Sequence, residues 1–571
     1  MPSADSRTRS SCDTAAPESA GIGGLESSSK HTPRPYPANS VPVDASTAEP
    51  LSIARRPRSA AAAEARVGSR RLGLVVFASG AAALATEISA SRLLAPYFGA
   101  STVVWANIIG LILVYLSVGY WLGGKLADRR PDPRLLGSLV LAAGVFIAAT
   151  PFVARPLLDL ALRGFDALSV GAVAGSFFAA LGLFAVPITL LGMVSPFAIR
   201  LALVDVREAG QVAGRLYALS TVGSILGTFV SALVTIEAFG TERTMVGTAA
   251  LLAFAAALLL GRRALLPAAL VAALLLVPPG AVKHTSGLLF ETESPYQYVS
   301  VVRQSDGSRV LELNEGLVAH STWRRGTVLT GGYWDLFLLL PPLLDRPPER
   351  MLVIGNAGGT VGRAYGRFWP RVQIDGVELD PAVTRAARRF LGLGDNPRLH
   401  VITGDGRPYL ELTKRRYDLV VVDAYRQPYI PFYLATREFF ALVREHLRPG
   451  GMVALNVAAT PKDHRLSRAL GTTLLSAFPQ AWRWRALRFN DLLLGIDRPV
   501  SRGVLVRRAA RVRGRLASLV PLFRRELAPV RPSGAPLTDD RAPVEWITDR
   551  MLVEQIARGG GIDERSLPTT P

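Results

Sequence analysis

Four short apolar runs between residues 351 and 423 each end on a glycine or a carboxylate. The run 351–355, MLVIG, passes into Asn356-Ala357-Gly358-Gly359 and then into a probable helix, Thr360–Phe368. Glycines at a strand-to-helix turn let a ligand approach the backbone, and the helix start adds free N–H donors. The spelling G-N-A-G-G is not the dinucleotide pattern G-x-G-x-x-G. The run 372–377 is followed by Glu378, about twenty residues beyond the glycine turn, where a carboxylate can accept from both hydroxyls of a ribose. Leu399–Thr403 leads into Gly404-Asp405-Gly406, whose carboxylate can accept from an adenine amino group. Tyr417–Val422 ends in Asp423. Any one of these acids is equally well explained as a helix N-cap. Their joint register at the edge where open α/β sheets bind ligands is harder to reach by accident.

Such an edge needs a parallel sheet behind it. From 351 to about 497 strand-like and helix-like runs alternate, the mark of an α/β domain. Before it, 296–302 and Arg309–Leu313 alternate like strands, with Asp306-Gly307 as a hairpin turn. A third strand near 316–321 completes a small sheet.

The preceding two hundred residues belong to another class. Apolar runs long enough to cross about 30 Å of hydrocarbon recur at 72–95, 102–123, 134–154, 169–195, 216–237 and 244–261. A seventh run, 264–279, is shorter and ends at Pro278-Pro279. Residues 1–70, rich in Ser, Ala, Pro and Arg, read as disordered and contain no secretory h-region. The sequence thus divides into a disordered tail (1–70), a transmembrane helical bundle (71–282), a small β-sheet domain (283–330), a Rossmann-like, methyltransferase-type α/β domain (331–530) and a C-terminal tail (531–571).

Net charge is +20 and comes almost wholly from arginine, while charged residues make up only 19% of the chain and mean hydropathy is +0.27. The arginines cluster at the ends of apolar runs, which suits a membrane surface and leaves no nucleic-acid partner in view. Arg70, Arg71, Lys125, Arg129, Arg207 and Arg262 mark alternate ends, so the N-terminus is expected in the cytoplasm. Six crossings return the chain there, whereas seven export the last domain. Within the spans Glu87 and Arg92 stand out, because an ionisable residue at membrane depth is costly and so a candidate for function. Gly223 and Gly227 form a G-x-x-x-G suited to close helix packing. The single cysteine, Cys12, excludes disulfides within the chain, and the six histidines have no metal-ligand spacing, so no metal site is expected.

The segments Tyr296-Gln297, G-G-Y-W-D with Tyr333, V-I-G-N-A-G-G, V-E-L-D, G-D-G, V-V-V-D-A-Y and L-R-P-G-G together resemble the spermidine synthase family, the polyamine aminopropyltransferases. The whole chain, with Ala85-Thr86-Glu87, Arg92 and R-L-Y-A-L-S-T-V-G-S, is similar to the membrane-fused type, called fused MFS/spermidine synthase. The resemblance implies a co-substrate, decarboxylated S-adenosylmethionine or S-adenosylmethionine, and a small-molecule acceptor such as an amine. Glu378 would hold the ribose, Asp405 with Gly406 the adenine, and Gly355, Asn356 and Gly358 the aminopropyl or methionine portion. Gln297 and Tyr333 would line the site, and Asp423 would orient or deprotonate the attacking amine. Since such nucleosides are cytoplasmic, the domain is expected there, with 264–279 re-entrant or interfacial, or with a span miscounted in the proline-broken stretch 169–204. Partners are then the lipid bilayer and, by the resemblance alone, a second copy of the chain.

Two positions depart from the family. Its glycine turn has an Asp that binds a substrate amine where this chain has Gly358, and its D-x-x-D after the fourth strand is Asp423-Ala424-Tyr425-Arg426 here. A dication beside Arg426 meets repulsion, about 4 kcal/mol at 4 Å and an effective dielectric of 20. Putrescine is therefore disfavoured as acceptor. A methyltransferase with Tyr425 and Arg426 shaping a non-cationic acceptor, and a transporter or sensor with a regulatory nucleotide domain, are the alternatives.

Overall fold

The computed structural model describes residues 69–98, 102–166, 171–277, 285–314, 316, 318–426, 429–485 and 487–557. The expected disordered tail, with Cys12, and the Pro278-Pro279 break fall outside them.

The main helices of the first half are α1 (Ser69–Phe98), α2 (Thr102–Arg129), α3 (Pro133–Asp166), α4 (Gly171–Gly192), α5 (Val194–Ala202), α6 (Ala209–Val230), α7 (Thr241–Leu260) and α8 (Leu265–Ala273). Among the described residues six stretches are long and apolar enough to cross a membrane, α4 and α5 together making one of them. The stretch that contains Pro187 and Pro196 is thus one candidate span. These helices are apolar on every face. Trp121, Phe229 and Leu233 point outward and are exposed, as lipid-facing side chains would be. Gly223 and Gly227 set the packing of α6 on α1: a Cβ on either would lie 2.2 or 2.1 Å from the carbonyl oxygens of Phe77 and Ala81.

The seventh run is helical over most of its length. α8 and the 3-10 turn Leu274–Leu276 together hold 12 residues, about 20 Å of helix. Leu275 lies with Thr244, Gly247 and Thr248 of α7 around one cavity. The segment therefore runs back along α7 toward its start.

The second half contains two sheets. β1 (Leu288–Glu293), β2 (Tyr298–Arg303), β3 (Arg309–Leu313) and β4 (Ala319–Trp323) form an antiparallel meander in sequential order. The turn between β2 and β3 is the expected one, with Gly307 at φ 78° and Asp306 Oδ1 accepting from Ser308 N–H. The eight-stranded sheet has the order β12-β10-β11-β9-β8-β5-β6-β7. It is built from β5 (Arg350–Ile354), β6 (Gln373–Glu378), β7 (Leu399–Thr403), β8 (Tyr417–Val422), β9 (Leu447–Ala458), β10 (Gln480–Arg485), β11 (Asn490–Ile496) and β12 (Leu527–Pro529). The strands β9, β8, β5, β6 and β7 run parallel, and β10, β11 and β12 add antiparallel pairings at one edge.

Parallel strands buried on both faces read as continuous apolar runs, and β5 and β8 do so. Alternate residues of β5 enter opposite cores. Met351 and Val353 join Val361 and Tyr365 of α9 (Thr360–Phe368), while Leu352 and Ile354 join Leu410 of α11 (Gly406–Leu412). Between these helices in sequence, α10 (Pro381–Phe390) packs Val383, Ala386 and Ala387 against Val299, Val301, Leu311 and Leu313 of the meander. That contact fixes the small sheet beside the end of β6.

Residues 537–557, expected as part of a tail, complete the domain instead. Leu537, Val544 and Met551 enter the core around α12 (Arg465–Ala477), and α13 (Val544–Ala557) ends the described chain. Arg407 holds Asp539 through both carboxylate oxygens, at 2.8 and 2.6 Å.

Candidate active site

The sheet order turns the sequence pattern into a line. Moving from β9 through β8, β5 and β6 to β7, the residues at or just beyond the strand ends are Asn456, Asp423, Gly355, Glu378 and Asp405. Neighbouring strands lie about 4.8 Å apart, so β8 and β7 are separated by about 14 Å. In sequence Asp423 comes last of the acids. In space it stands next to Gly355, because β5 is flanked by β6 on one side and β8 on the other. This is the topological switch point, where open α/β sheets leave a crevice.

At Gly355 the backbone has φ +85°, and a Cβ there would lie 2.5 Å from the Asp423 carbonyl oxygen. Only glycine lets β8 pass so close to the turn. Ala357 also has positive φ, 44°, which costs an L-residue about 1 kcal/mol. That conformation aims its N–H at Glu378 Oε2, 2.8 Å away. The other N–H groups of the turn are also taken. Gly355 and Asn356 donate to the Val377 carbonyl, Gly358 to Ser321 Oγ at 2.8 Å, and Gly359 to the Asn356 carbonyl. The Asn356 side chain packs over Gly376 of β6, with its Oδ1 2.6 Å from where a Cβ on Gly376 would stand. At Gly358 a Cβ would meet Ser321 and Leu391 within 2.8 Å. The loop is closed around a residue without a side chain.

Glu378 is buried, and its Oε1 accepts from Asp380 N–H at 3.0 Å. Burial pushes its carboxyl up to about 7, against the downward pull of the Asp380 and Ala357 N–H groups. Asp380 caps α10 through Oδ1 and accepts from Ser294 Oγ (2.6 Å) and Gln297 Nε2 (3.4 Å) through Oδ2. It thus ties Gln297 of the meander to the end of β6. Beyond β7, Asp405 caps α11, which begins at Gly406, by accepting from Arg407 N–H. Its other oxygen accepts from Tyr433 OH at 2.8 Å. That acceptor and burial both push the Tyr433 phenol up.

Across the crevice, Asp423 Oδ2 accepts from Tyr333 OH at 3.2 Å and Oδ1 from Asn456 Nδ2 at 2.9 Å. Asn456 is fully buried and its Oδ1 accepts from Asn490 Nδ2 at 3.0 Å, which fixes which way its amide faces. Tyr333 is held by its ring against Trp334 and Phe337. The Tyr425 hydroxyl spans to β9, donating to the Asn456 carbonyl and accepting from Ala458 N–H. Arg426 is exposed and its backbone pairs with Tyr429.

The expected site residues therefore gather at one sheet edge in two groups. Gln297, Gly355, Glu378 and Asp405 lie on the β5–β7 side, and Tyr333, Tyr425 and Asp423 on the β8–β9 side. Sequence reasoning missed Asn456, Asp380 and Tyr433. Asn456 had a signal, as the one polar residue inside the apolar run MVALNVA. Among the described residues no cluster of His, Cys, Asp and Glu could hold a metal ion.

Residues 333–482 match the family model described as the spermine/spermidine synthase domain. A probable polyamine aminopropyl transferase of Bifidobacterium longum is 34% identical over 220 residues, covering 37% of this chain and 48% of the relative. A polyamine aminopropyltransferase of Vibrio vulnificus is 37% identical over 133 residues, 22% of this chain and 44% of the relative. The chain thus spans about half the length of the curated relatives it matches. Among solved structures, a probable spermidine synthase from Corynebacterium glutamicum is similar at 18% identity and a TM-score of 0.35, covering 44% of this chain and 98% of that one.

Proposed function

We propose that this chain is a membrane-anchored, spermidine synthase-like transferase whose co-substrate is decarboxylated S-adenosylmethionine or S-adenosylmethionine. One observation carries the reading: every N–H from Gly355 to Gly359 already has a protein acceptor. A turn that binds a pyrophosphate needs those donors free. This turn offers a ligand shape and a buried carboxylate, which suits a nucleoside without phosphates. Glu378 Oε2 and Oε1 accept from the Ala357 and Asp380 N–H groups, and a carboxylate has about four acceptor sites, enough to take a ribose hydroxyl as well. The strand order then supports adenine at Asp405, ribose at Glu378, the chain on sulfur over Gly355 and the acceptor at Asp423.

When bound, the sulfonium supplies an electrophilic carbon and a thioether leaving group. The protein's part lies at Asp423. An ammonium has no lone pair, so the acceptor nitrogen must lose a proton before it attacks. Tyr333 and Asn456 hold the Asp423 carboxylate from two sides, which fixes its orientation. A carboxylate so placed can take that proton while the crevice holds the two reactants in line.

Putrescine is disfavoured as the acceptor. The packing of Ser321 and Leu391 over Gly358 leaves no room for the family's amine-binding acid at that position, and Arg426 puts a cation where the family has its other amine-binding acid. A small acceptor with at most one positive charge fits better. The six apolar helices support anchoring in a bilayer.

The test uses the full-length chain in nanodiscs. Adenosylmethionine or its decarboxylated form should bind, NAD should not, and Asp423→Asn should spare binding while lowering transfer about 10²- to 10⁴-fold. Binding of neither nucleoside, or undiminished transfer by Asp423→Asn, refutes the reading.

A further inference from the structure

The synthase domain docks on one end of the helical bundle, and the basic residues of the bundle gather at the other. Near the finish of α1, Arg92 donates from Nη1 to the Ser294 carbonyl at 2.9 Å and from Nη2 to the Pro295 carbonyl. At the start of α7, Thr241 N–H donates to Glu293 Oε2 at 2.8 Å. Both contacts fall on the link between β1 and β2, just before Gln297. The docked end of the bundle is therefore the one where α1 finishes and α7 begins.

The opposite end is where α1 begins and α7 finishes. It holds Arg70 and Arg71, then Lys125, Arg129, Arg130 and Arg134 around the α2–α3 connection. Arg200 and Arg207 follow between α5 and α6, and Arg262 and Arg263 after α7. The docked end has Arg92, Arg155, Arg163 and Arg243, with Glu237 and Glu242 among them. Two of these cations are already engaged: Arg92 by the domain's carbonyls, and Arg155 by Glu242 at 2.5 Å. Excess Lys and Arg in short connections stays on the cytoplasmic side of a membrane.

The path of the chain agrees with the charge. After α7 reaches the basic end, α8 and its 3-10 turn lead back along it until Leu275 stands beside Thr248 and Thr244. Thr248 is 12 residues from Leu260, about 18 Å along the helix. The chain thus crosses most of the hydrocarbon a seventh time without a seventh full-length helix, and it leaves toward the docked end.

We infer that the synthase domain lies on the non-cytoplasmic face of the membrane and meets both its nucleoside and its acceptor there. This replaces the expectation of a cytoplasmic domain. The parity that the sequence left open is settled by the short, broken segment after α7. The consequence for the reaction is that a nucleoside made in the cytoplasm must be exported before Glu378 can hold it. The inference rests on the membrane anchoring proposed above and not on the chemistry, so a chain that failed to transfer any group could still obey it.

Cysteine labelling of the full chain tests it. Cys12 is the only cysteine and is replaced by serine. Single cysteines then go in at Leu412, 84% exposed in the synthase domain, and at Val206, 82% exposed in the α5–α6 connection at the basic end. Intact cells, or spheroplasts where an outer membrane intervenes, are treated with a membrane-impermeant maleimide. Leu412→Cys should label at once, and Val206→Cys only after the membrane is permeabilised. Protection of Leu412→Cys, or labelling of Val206→Cys, before permeabilisation overturns the inference. Nucleoside binding by the same variants, measured in nanodiscs, tells a failure of topology from a failure of the proposed chemistry.

Discussion

Glu378 gives a pH dependence that can be worked out in advance. Its carboxyl is pushed up to about 7 by burial, so at pH 7 the empty site is about half protonated. A ribose offers two hydroxyl donors, and only the ionised carboxylate can accept from both. If the nucleoside binds that form alone, Kd rises by a factor of about 2 from pH 8 to pH 7. It rises roughly tenfold from pH 8 to pH 6, which is about 1.4 kcal/mol. The ligand of choice is 5′-methylthioadenosine, because it has no amine that titrates in this range. Calorimetry at pH 6, 7 and 8 should show that slope, with about half a proton released per nucleoside bound at pH 7. Glu378→Gln should bind about 10- to 100-fold more weakly, from the lost charge on the hydrogen bonds, with no slope at all. Stability has its own sign. The folded value lies above the ordinary 4.5, so the folded chain holds the proton longer than the unfolded one. Stability is then lost as pH rises from about 4.5 to about 7, and Glu378→Gln should remove that loss. A wild-type Kd that is flat from pH 6 to 8, or a Gln variant that keeps the slope, refutes the assignment of Glu378 to the ribose.

Three further outcomes follow from the geometry. Gly355→Ala forces a Cβ to 2.5 Å from the Asp423 carbonyl at φ +85°; it should cost about 1–3 kcal/mol, read as a lower Tm, and should cut transfer because Asp423 is displaced. Asn456→Leu removes the donor to Asp423 Oδ1 and leaves Asn490 Nδ2 without its acceptor; transfer should fall while 5′-methylthioadenosine Kd stays within twofold, since β9 is on the acceptor side. Arg426→Asp should raise kcat/KM for diamines relative to monoamines, and an unchanged ratio would mean that Arg426 does not face the acceptor.

The nucleotide-side strands were legible because buried parallel strands have a strong local signature. The runs at β5 to β8 are mainly apolar and end in glycine or acid, so each could be placed within a residue or two. β1 was missed, since Leu288–Glu293 is half-buried along its whole length and shows no alternation. Asn456 was missed for a different reason. It matters only because β9 pairs with β8, and nothing near residue 456 records which strand will lie beside it. Tyr433 and Asp380 were hidden likewise, as partners supplied by another strand end. The C-terminal residues 537–557 looked like a tail because their contacts, such as Arg407 with Asp539 and Tyr429 with Asp549, are all long-range. The side of the membrane was not legible in the sequence, because a 12-residue helical segment is too short to count as a span by hydropathy, yet its direction along α7 bears on where the chain emerges.

The strand order at the crevice has an evolutionary corollary. In the proposed arrangement the donor nucleoside is held from β5, β6 and β7 and the acceptor from β8 and β9, the two sides meeting at Gly355 and Asp423. Substitutions at 423–456, Tyr433 with its bond to Asp405 apart, can then accumulate without touching the residues proposed for ribose or adenine. A lineage can therefore keep its donor and exchange its acceptor by drift on one flank of the sheet. Arg426 lies on that flank.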